Sequence, residues 1–350
     1  MTNIPKVSVC LPTYNRSGYL SQTLASVLAQ TFTDFEVIVS DNCSTDSTPD
    51  VVGARKDPRI RYVRNERNIG LFPNMNQCLE LARGEYVCIL HDDDVYAPRF
   101  LEREVGMLDR HPSAGFVHCA TYEIDASGVR RRLVRAYPDD CLRSRQEEFT
   151  RYLGGHNVNC STVMGRRDLY RQTGGFDPAY LCADFLMWLR LSLKADVAYV
   201  AEPLAAIRVH GEALSSTMKP AQWCRDYLDI LDRIVALAES VEPSLLRSKD
   251  RLLDRAIRAQ GKRFLIASVS AMSKRESGLA ERFVDVLRHL ESRGLPRIYR
   301  LLARSMNNRP GRILLGAARK AMVMKASQSL PAETPWWVGH APMPRASRVV

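Results

Sequence analysis

Three adjacent carboxylates, Asp92-Asp93-Asp94, follow the apolar run Tyr86-Val87-Cys88-Ile89-Leu90, with His91 between. Like charges at consecutive positions repel one another, and nothing apolar is gained by placing them there. Two readings fit: a solvated loop or helix N-cap ahead of Pro98, or a site for a hard divalent cation. Carboxylate oxygens bind Mg2+ or Mn2+ while leaving positions open for phosphates. A cation so held would stabilise the charge that develops on a departing nucleoside diphosphate. Two earlier apolar runs also end in polar clusters: Val7–Leu11 in Pro12-Thr13-Tyr14-Asn15, and Glu36–Ser40 in Asp41-Asn42-Cys43-Ser44-Thr45-Asp46.

The elements that position these clusters alternate. Strands are expected at 6–11, 36–40, near 61–63 and at 86–90. A helix starts at Ser17 with Leu20, Leu24, Val27 and Leu28 on one face, and another runs through Met75, Cys78, Leu79 and Ala82 to a stop at Gly84. Unbroken hydrophobic strands alternating with helices predict an α/β chain whose mixed, mainly parallel sheet is covered on both faces. Ligands of such sheets bind beyond the carboxyl ends of the strands, where all three clusters fall. Further on, the pattern predicts a helix at 99–110 and strands at 115–122 and 158–164. A turn follows at Thr173-Gly174-Gly175-Phe176-Asp177, then a helix opened by Asp184 with Phe185, Trp188, Leu189 and Leu193, and a strand at 197–200 ahead of Ile207-Arg208-Val209-His210.

At 350 residues the chain exceeds one ordinary core, which predicts a large domain with an appendage. The expected division is a catalytic domain at 1–216, with a nucleotide-binding half to about 112 and an acceptor half at 113–216. A basic helical region at 217–330 and a flexible tail at 331–350 complete it. The charge is uneven: 25 Lys and Arg face 27 Asp and Glu up to residue 215, against 25 and 12 beyond it. The nine Cys are scattered without a C-x-x-C pair, so the reading is reduced thiols and no zinc knuckle. No charged-then-apolar leader and no apolar stretch of ~20 residues is present. The expected location is therefore cytoplasmic, with peripheral attachment to the inner membrane face open.

Taken together, Val7 to Arg16 and Val37 to Asp46 resemble the nucleotide-binding half of family 2 glycosyltransferases of the GT-A fold. The resemblance continues through Asn68-x-Gly70, Asn76, Ala82-x-Gly84-Glu85-Tyr86 and the aspartates, and resumes at Thr173–Asp177, Asp184 and Arg208-x-His210. It covers about residues 5 to 216 and implies a sheet flanked by helices; the helical C-terminal region is read from periodicity alone. It implies a donor that is a nucleotide-diphosphate sugar, bound by Pro12, Thr13, Tyr14, Asn15, Asp41, Asn68, Asn76, Asp92 and Asp93. Asp41 would accept from the nucleobase; Mn2+ or Mg2+ would be ligated by Asp93, Asp94 and His210. Asp184 would be the general base. Four positions depart from the pattern: Asn42 stands for the second Asp of an Asp-Asp-Gly-Ser turn and Cys43 for its Gly, His91 stands where many relatives carry an Asp, and Ala183 replaces the Glu of a Glu-Asp pair. One carboxylate on the acceptor side, without a second suited to be a nucleophile, implies a single displacement with inversion. Each assignment has a plainer alternative: Tyr14 and Asn15 capping a turn, Asp184 capping its helix, His210 at the surface.

Beyond the resemblance, Arg297, Arg300, Arg304, Arg309, Arg312, Arg319, Lys320 and Lys325 alternate with apolar residues. That pattern fits a helix packed on the catalytic domain or in a homodimer, and equally an interfacial helix on anionic lipid, aided by Trp336 and Trp337. The latter would suit a lipid-linked glycan acceptor; a free glycan or small molecule is the other option. Rival readings are a nucleotidyltransferase, which would carry a Gly-rich loop with an Arg where Pro12-Thr13-Tyr14-Asn15 stands, an inactive scaffold of the same fold, and a nucleic-acid-binding protein. No nucleic-acid partner is expected, because the acidic cluster repels phosphate.

Overall fold

A computed structural model describes residues 4–155, 158–211 and 220–243. The first strands are β1 (Val7–Thr13), β2 (Phe35–Asp41), β3 (Ile60–Arg64) and β4 (Tyr86–Ile89), with helices α1 (Ser17–Leu28), α2 (Thr48–Gly53) and α3 (Leu71–Leu81) between them. Next come β5 (Val95–Tyr96), α4 (Phe100–Arg110), β6 (Ala114–Ile124), β7 (Arg130–Val134), β8 (Cys141–Arg143), α5 (Arg145–Leu153) and β9 (Val163–Arg166). The chain continues through α6 (Arg167–Thr173), α7 (Ala183–Ser192), β10 (Asp196–Arg208) and α8 (Pro220–Val241).

All ten strands join one sheet in the order β3-β2-β1-β4-β9-β6-β10-β5, with β7 beside β6 and β8 beside β10. Pairing is parallel from β3 through β4, reverses at β9, and is parallel again between β6 and β10. Side chains along a strand alternate between faces, and two cores follow from that. Val7, Val9 and Leu11 of β1, with Val37 and Val39 of β2, pack on the α1 and α4 side, while Cys10, Ile38, Val87 and Ile89 face α3, α7 and α8. Strands β1, β2 and β4 are buried on both faces, which is why their sequences are largely apolar without alternation. Register puts Thr13 beside Asp41 and Cys10 beside Ile89, so the chain leaving β4 emerges next to Pro12 and Thr13. The short β5 then pairs with Ala205 and Ala206 of β10, which draws Asp92–Asp94 against Arg208.

Several elements differ from the sequence reading. Helix α3 ends at Leu81 with Ala82 already extended, so Gly84 is not its terminator. A Cβ on Gly84 would lie 2.6 Å from the Ser8 nitrogen, so the glycine is there for a close crossing over β1. The strand expected at 158–164 begins only at Val163, because the Asn159 side chain accepts from Ser161 N–H and closes a 3-10 turn over Cys160–Thr162. The strand expected at 197–200 is part of the single long β10, which runs on through Ile207 and Arg208 and ends before Val209. The segment 130–143, for which the sequence pattern offers no element, forms the short edge strands β7 and β8. In α8, Cys224, Tyr227, Ile230, Leu231, Ile234, Val235 and Ala238 form the buried face, while Leu237 is exposed. That face packs with α7, Tyr227 stacking on Phe185 with ring centroids 5.1 Å apart. The basic run from Arg297 to Lys325, Trp336-Trp337 and the tail expected to be flexible lie outside the described residues.

Candidate active site

The turns after β1 and β2 brace one another. Asn15, at φ 52, accepts Thr45 N–H on Oδ1 at 2.7 Å and donates its own N–H to Ser44 Oγ at 2.9 Å. Asp46 accepts from Ser17 N–H at 2.9 Å and so caps the start of α1. Cys43 stands at φ 68. This left-handed backbone favours glycine and strains other residues, which gives a physical reason for the glycine that the family pattern carries at this place. Asn42 donates to Asn68 Oδ1 at 2.7 Å and accepts from Ile69 N–H at 2.9 Å, tying the loop before α3 to the end of β2.

The three aspartates are not a solvated run: Asp92 and Asp93 are 6% exposed and Asp94 1%. Asp92 accepts from Thr13 Oγ1 at 2.8 Å, Tyr14 N–H at 3.3 Å and Arg16 Nη1 at 3.3 Å. Asp93 Oδ2 accepts from Arg16 Nη1 at 2.5 Å and meets His210 Nε2 at 2.9 Å. Asp94 accepts Ser161 Oγ at 2.6 Å and the Arg208 backbone N–H at 2.8 Å. Burial, and then the charge of Asp93, push the Asp92 carboxyl up to about 6 and that of Asp94 well above the usual carboxylate range. Burial lowers the His91 imidazole below its ordinary value. Arg208 is 3% exposed. Its side chain donates to the Asp93 carbonyl at 2.8 Å, to the Asp125 and Ala126 carbonyls and to Gln22, and it lies over the Tyr19 ring.

These groups border a cleft of about 500 Å³ at the carboxyl ends of β1, β2 and β4. Of the residues expected at the site, Pro12, Thr13, Tyr14, Asn68, Asp92, Asp93, Asp94 and Asp184 line it. Asp184 does so from the first turn of α7, held in place by the buried Phe185, Trp188 and Leu189. Its Oδ1 takes the N–H of Phe185 at 2.9 Å.

The other four expected residues, Asn15, Asp41, Asn76 and His210, are not in the lining. Asn15 is occupied in the turn described above. Asp41 is fully buried, with Oδ1 accepting Ser44 N–H at 2.8 Å and Oδ2 the Tyr62 hydroxyl at 2.5 Å. Asn76 donates to the Phe176 carbonyl and accepts its N–H, both at 2.8 Å, so it clamps the Gly174-Gly175 turn. His210 reaches the site only through Asp93. Arg16, Asn42 and Asn159 line the cleft without having been singled out. The signal for Arg16 was its place in the same turn as Thr13 and Tyr14.

Among the described residues, ligand atoms of His91, Asp93 and Asp94 lie within 4.8 Å of one another. Carboxylates with an imidazole beside an open cleft suit a hard divalent cation, with sides left for phosphate oxygens. The residues present therefore fit the group that the fold implies.

Residues 8–174 match the family model described as Glycosyl transferase family 2. TuaG of Bacillus subtilis, whose name assigns it as a glycosyltransferase to teichuronic acid biosynthesis, is 32% identical over 226 residues, 62% of this chain and 84% of TuaG. The crystal structure of S. aureus TarS 1-349 with UDP-GlcNAc superposes with a TM-score of 0.66 at 20% identity, covering 90% of this chain and 92% of that one. The mannosyltransferase PcManGT from Pyrobaculum calidifontis, solved with GDP-Man and Mn2+, gives 0.53 at 18% identity over 93% of this chain and 86% of its own. The chain belongs to glycosyltransferase family 2: it is a glycosyltransferase with the GT-A fold. Among the described residues no helix is long and apolar enough to cross a membrane.

Proposed function

We propose that the cleft binds a nucleotide-diphosphate sugar together with Mn2+ or Mg2+ and transfers the sugar, with inversion, to a hydroxyl of a glycan acceptor. The observation that carries this reading is the shared cleft, lined by Pro12-Thr13-Tyr14, Asp92-Asp93 and Asp184. Tyr14, 43% exposed, offers a ring face to a base, and Asn42 and Asn68 offer polar edges. Asp41 supports that end by fixing the turn through Ser44 N–H and the Tyr62 hydroxyl. A cation held by Asp93, with Asp94 and an imidazole beside it, would offset the charge developing on the departing diphosphate. Asp184 takes the proton of the acceptor hydroxyl as its oxygen bonds to the anomeric carbon and the bond to the diphosphate breaks. With one carboxylate on the acceptor side, the displacement is single and the configuration inverts.

TuaG, named for teichuronic acid biosynthesis, supports a glycan as acceptor, free or lipid-linked. A thermal-shift screen of nucleoside diphosphates and nucleotide sugars, with and without Mn2+, tests the donor reading. A true donor at 100 times its dissociation constant stabilises by about 2.7 kcal/mol. No Mn2+-dependent shift with any nucleotide would overturn it.

A further inference from the structure

Asn159 lines the cleft together with Cys160, Leu181 and Asp184. Its two side-chain ends are used differently. Oδ1 accepts Ser161 N–H at 2.9 Å and closes the 3-10 turn over Cys160–Thr162. Only the carbonyl end of an amide can accept from an N–H, so this bond leaves the Nδ2 hydrogens on the other side. Among the described residues Nδ2 has no hydrogen-bond acceptor. The turn that carries the amide is fixed to the acidic run: Ser161 Oγ donates to Asp94 Oδ2 at 2.6 Å and accepts His91 N–H at 3.0 Å. It is also near the proposed base. Burial first, and then the charges of Asp184 and Asp94, push the Cys160 thiol up, so the residue next to Asn159 feels both carboxylates.

We infer that Asn159 reads the transferred sugar, its Nδ2 donating to a hydroxyl oxygen of that sugar while Oδ1 stays in the turn. The inference rests on the nucleotide-sugar reading above and names a contact for the sugar itself. In that reading the acidic run serves the diphosphate end and Asp184 serves the attacking hydroxyl. The sugar ring must lie between them, and the turn bearing Asn159 is tied to one end and close to the other. The chemistry agrees. The carboxylates of Asp92, Asp93 and Asp184 accept hydrogen bonds when ionised and donate none, whereas a sugar hydroxyl oxygen also needs a donor. The amide is held by its carbonyl, so little rotamer freedom is lost when a sugar binds. A donor placed in this way discriminates against a sugar that lacks the oxygen, because the amide hydrogens are then left unpaired.

The test is calorimetry on the whole chain with MnCl2, comparing each nucleotide sugar with its own diphosphate. The pairs are UDP-glucose and UDP-GlcNAc against UDP, GDP-mannose against GDP, and dTDP-rhamnose against dTDP. The readout is the ratio of the two dissociation constants, taken for the sugar that the parent binds most tightly. Asn159→Ser keeps a side-chain oxygen suited to the turn but loses the amide. Its ratio moves against the sugar by about three- to tenfold, as for loss of one hydrogen bond. Asn159→Asp keeps the shape and the acceptor for Ser161 N–H while losing the donor, and its ratio moves the same way. It also serves if Asn159→Ser folds poorly, since an effect of its charge on the diphosphate cancels in the ratio. A purely structural role, acting through Ser161 on Asp94, would weaken diphosphate and nucleotide sugar alike. Unchanged ratios in both variants would therefore overturn the role of Asn159 and leave the donor reading standing. Binding of the diphosphates but of no nucleotide sugar by the parent would also overturn it. No binding of any of these nucleotides would overturn both.

Discussion

The two sides of the cleft are built on different principles. On the β1–β4 side, consecutive parallel strands end in turns that brace one another: Asn15 against Ser44 and Thr45, Asn42 against Asn68, Thr13 against Asp92. On the β6–β10 side the working groups depend on partners far along the chain. Arg208 of β10 reaches the Asp93 carbonyl and the Asp94 carboxylate, and Asn76 clasps the turn at Phe176 across a hundred residues. The first side needs only strand register to become a site. The second is assembled by struts, so mutations remote from the chemistry should matter more there.

The sharpest way to break that contrast is Asp93→Ala. It removes a carboxylate from a repulsive cluster, so the fold should survive, while activity falls by at least about 10²-fold. Normal turnover of the variant in EDTA would remove the metal from the account. Arg208→Lys should strike both sides at once, because several buried carbonyls lose their donors. A loss of about 2–3 kcal/mol in denaturant unfolding, with activity reduced, is expected; an unchanged midpoint would mean the strut is redundant. Asn76→Ala should cost about 1–2 kcal/mol while leaving donor KM near normal. A large rise in KM would return Asn76 to the donor site.

The smallest effect concerns Glu104 of α4, fully buried beneath β6 and β9. Burial holds its carboxyl well above the usual range, only partly offset by the Cys119 thiol and the Met164 backbone. A raised folded pKa means that the protonated form is the one the fold tolerates. Stability is therefore lost as pH rises above the unfolded value of about 4.3. Glu104→Gln should flatten this dependence, melting a few degrees higher than the parent at pH 8 and alike near pH 4. Parallel melting curves across that range would show that Glu104 ionises without cost.

What could be read in the sequence follows the same division. The strands β1, β2 and β4, helix α1 and the acidic run were legible because each is set by a local pattern: apolar runs, a 3.6-residue stripe, polar clusters at strand ends. Cys43 was legible as an exception, and its left-handed backbone gives the reason. The bonding of Asp41 was not, since its partner Tyr62 comes from the neighbouring strand β3. Nor was that of Asn76, whose role depends on a turn that only tertiary structure brings near. β7 and β8 were hidden because exposed edge strands rich in Arg carry no apolar run, and the strand expected at 158–164 was drawn too early because Asn159 holds a turn ahead of β9. Leu237 lies off the buried stripe of α8, a choice of face made by α7 and not by the helix's own period.

The central claim is that Asp184 supplies the base to a donor held in the same cleft. The most direct measurement is Asp184→Asn, with donor affinity by calorimetry and kcat measured on the same preparation. The substitution keeps shape and the contact to Phe185 N–H while removing basicity. The account predicts donor affinity within about twofold of the parent and kcat lower by about 10²–10⁴, as for loss of a general base. A near-normal kcat would contradict it, and another group would then have to accept the proton.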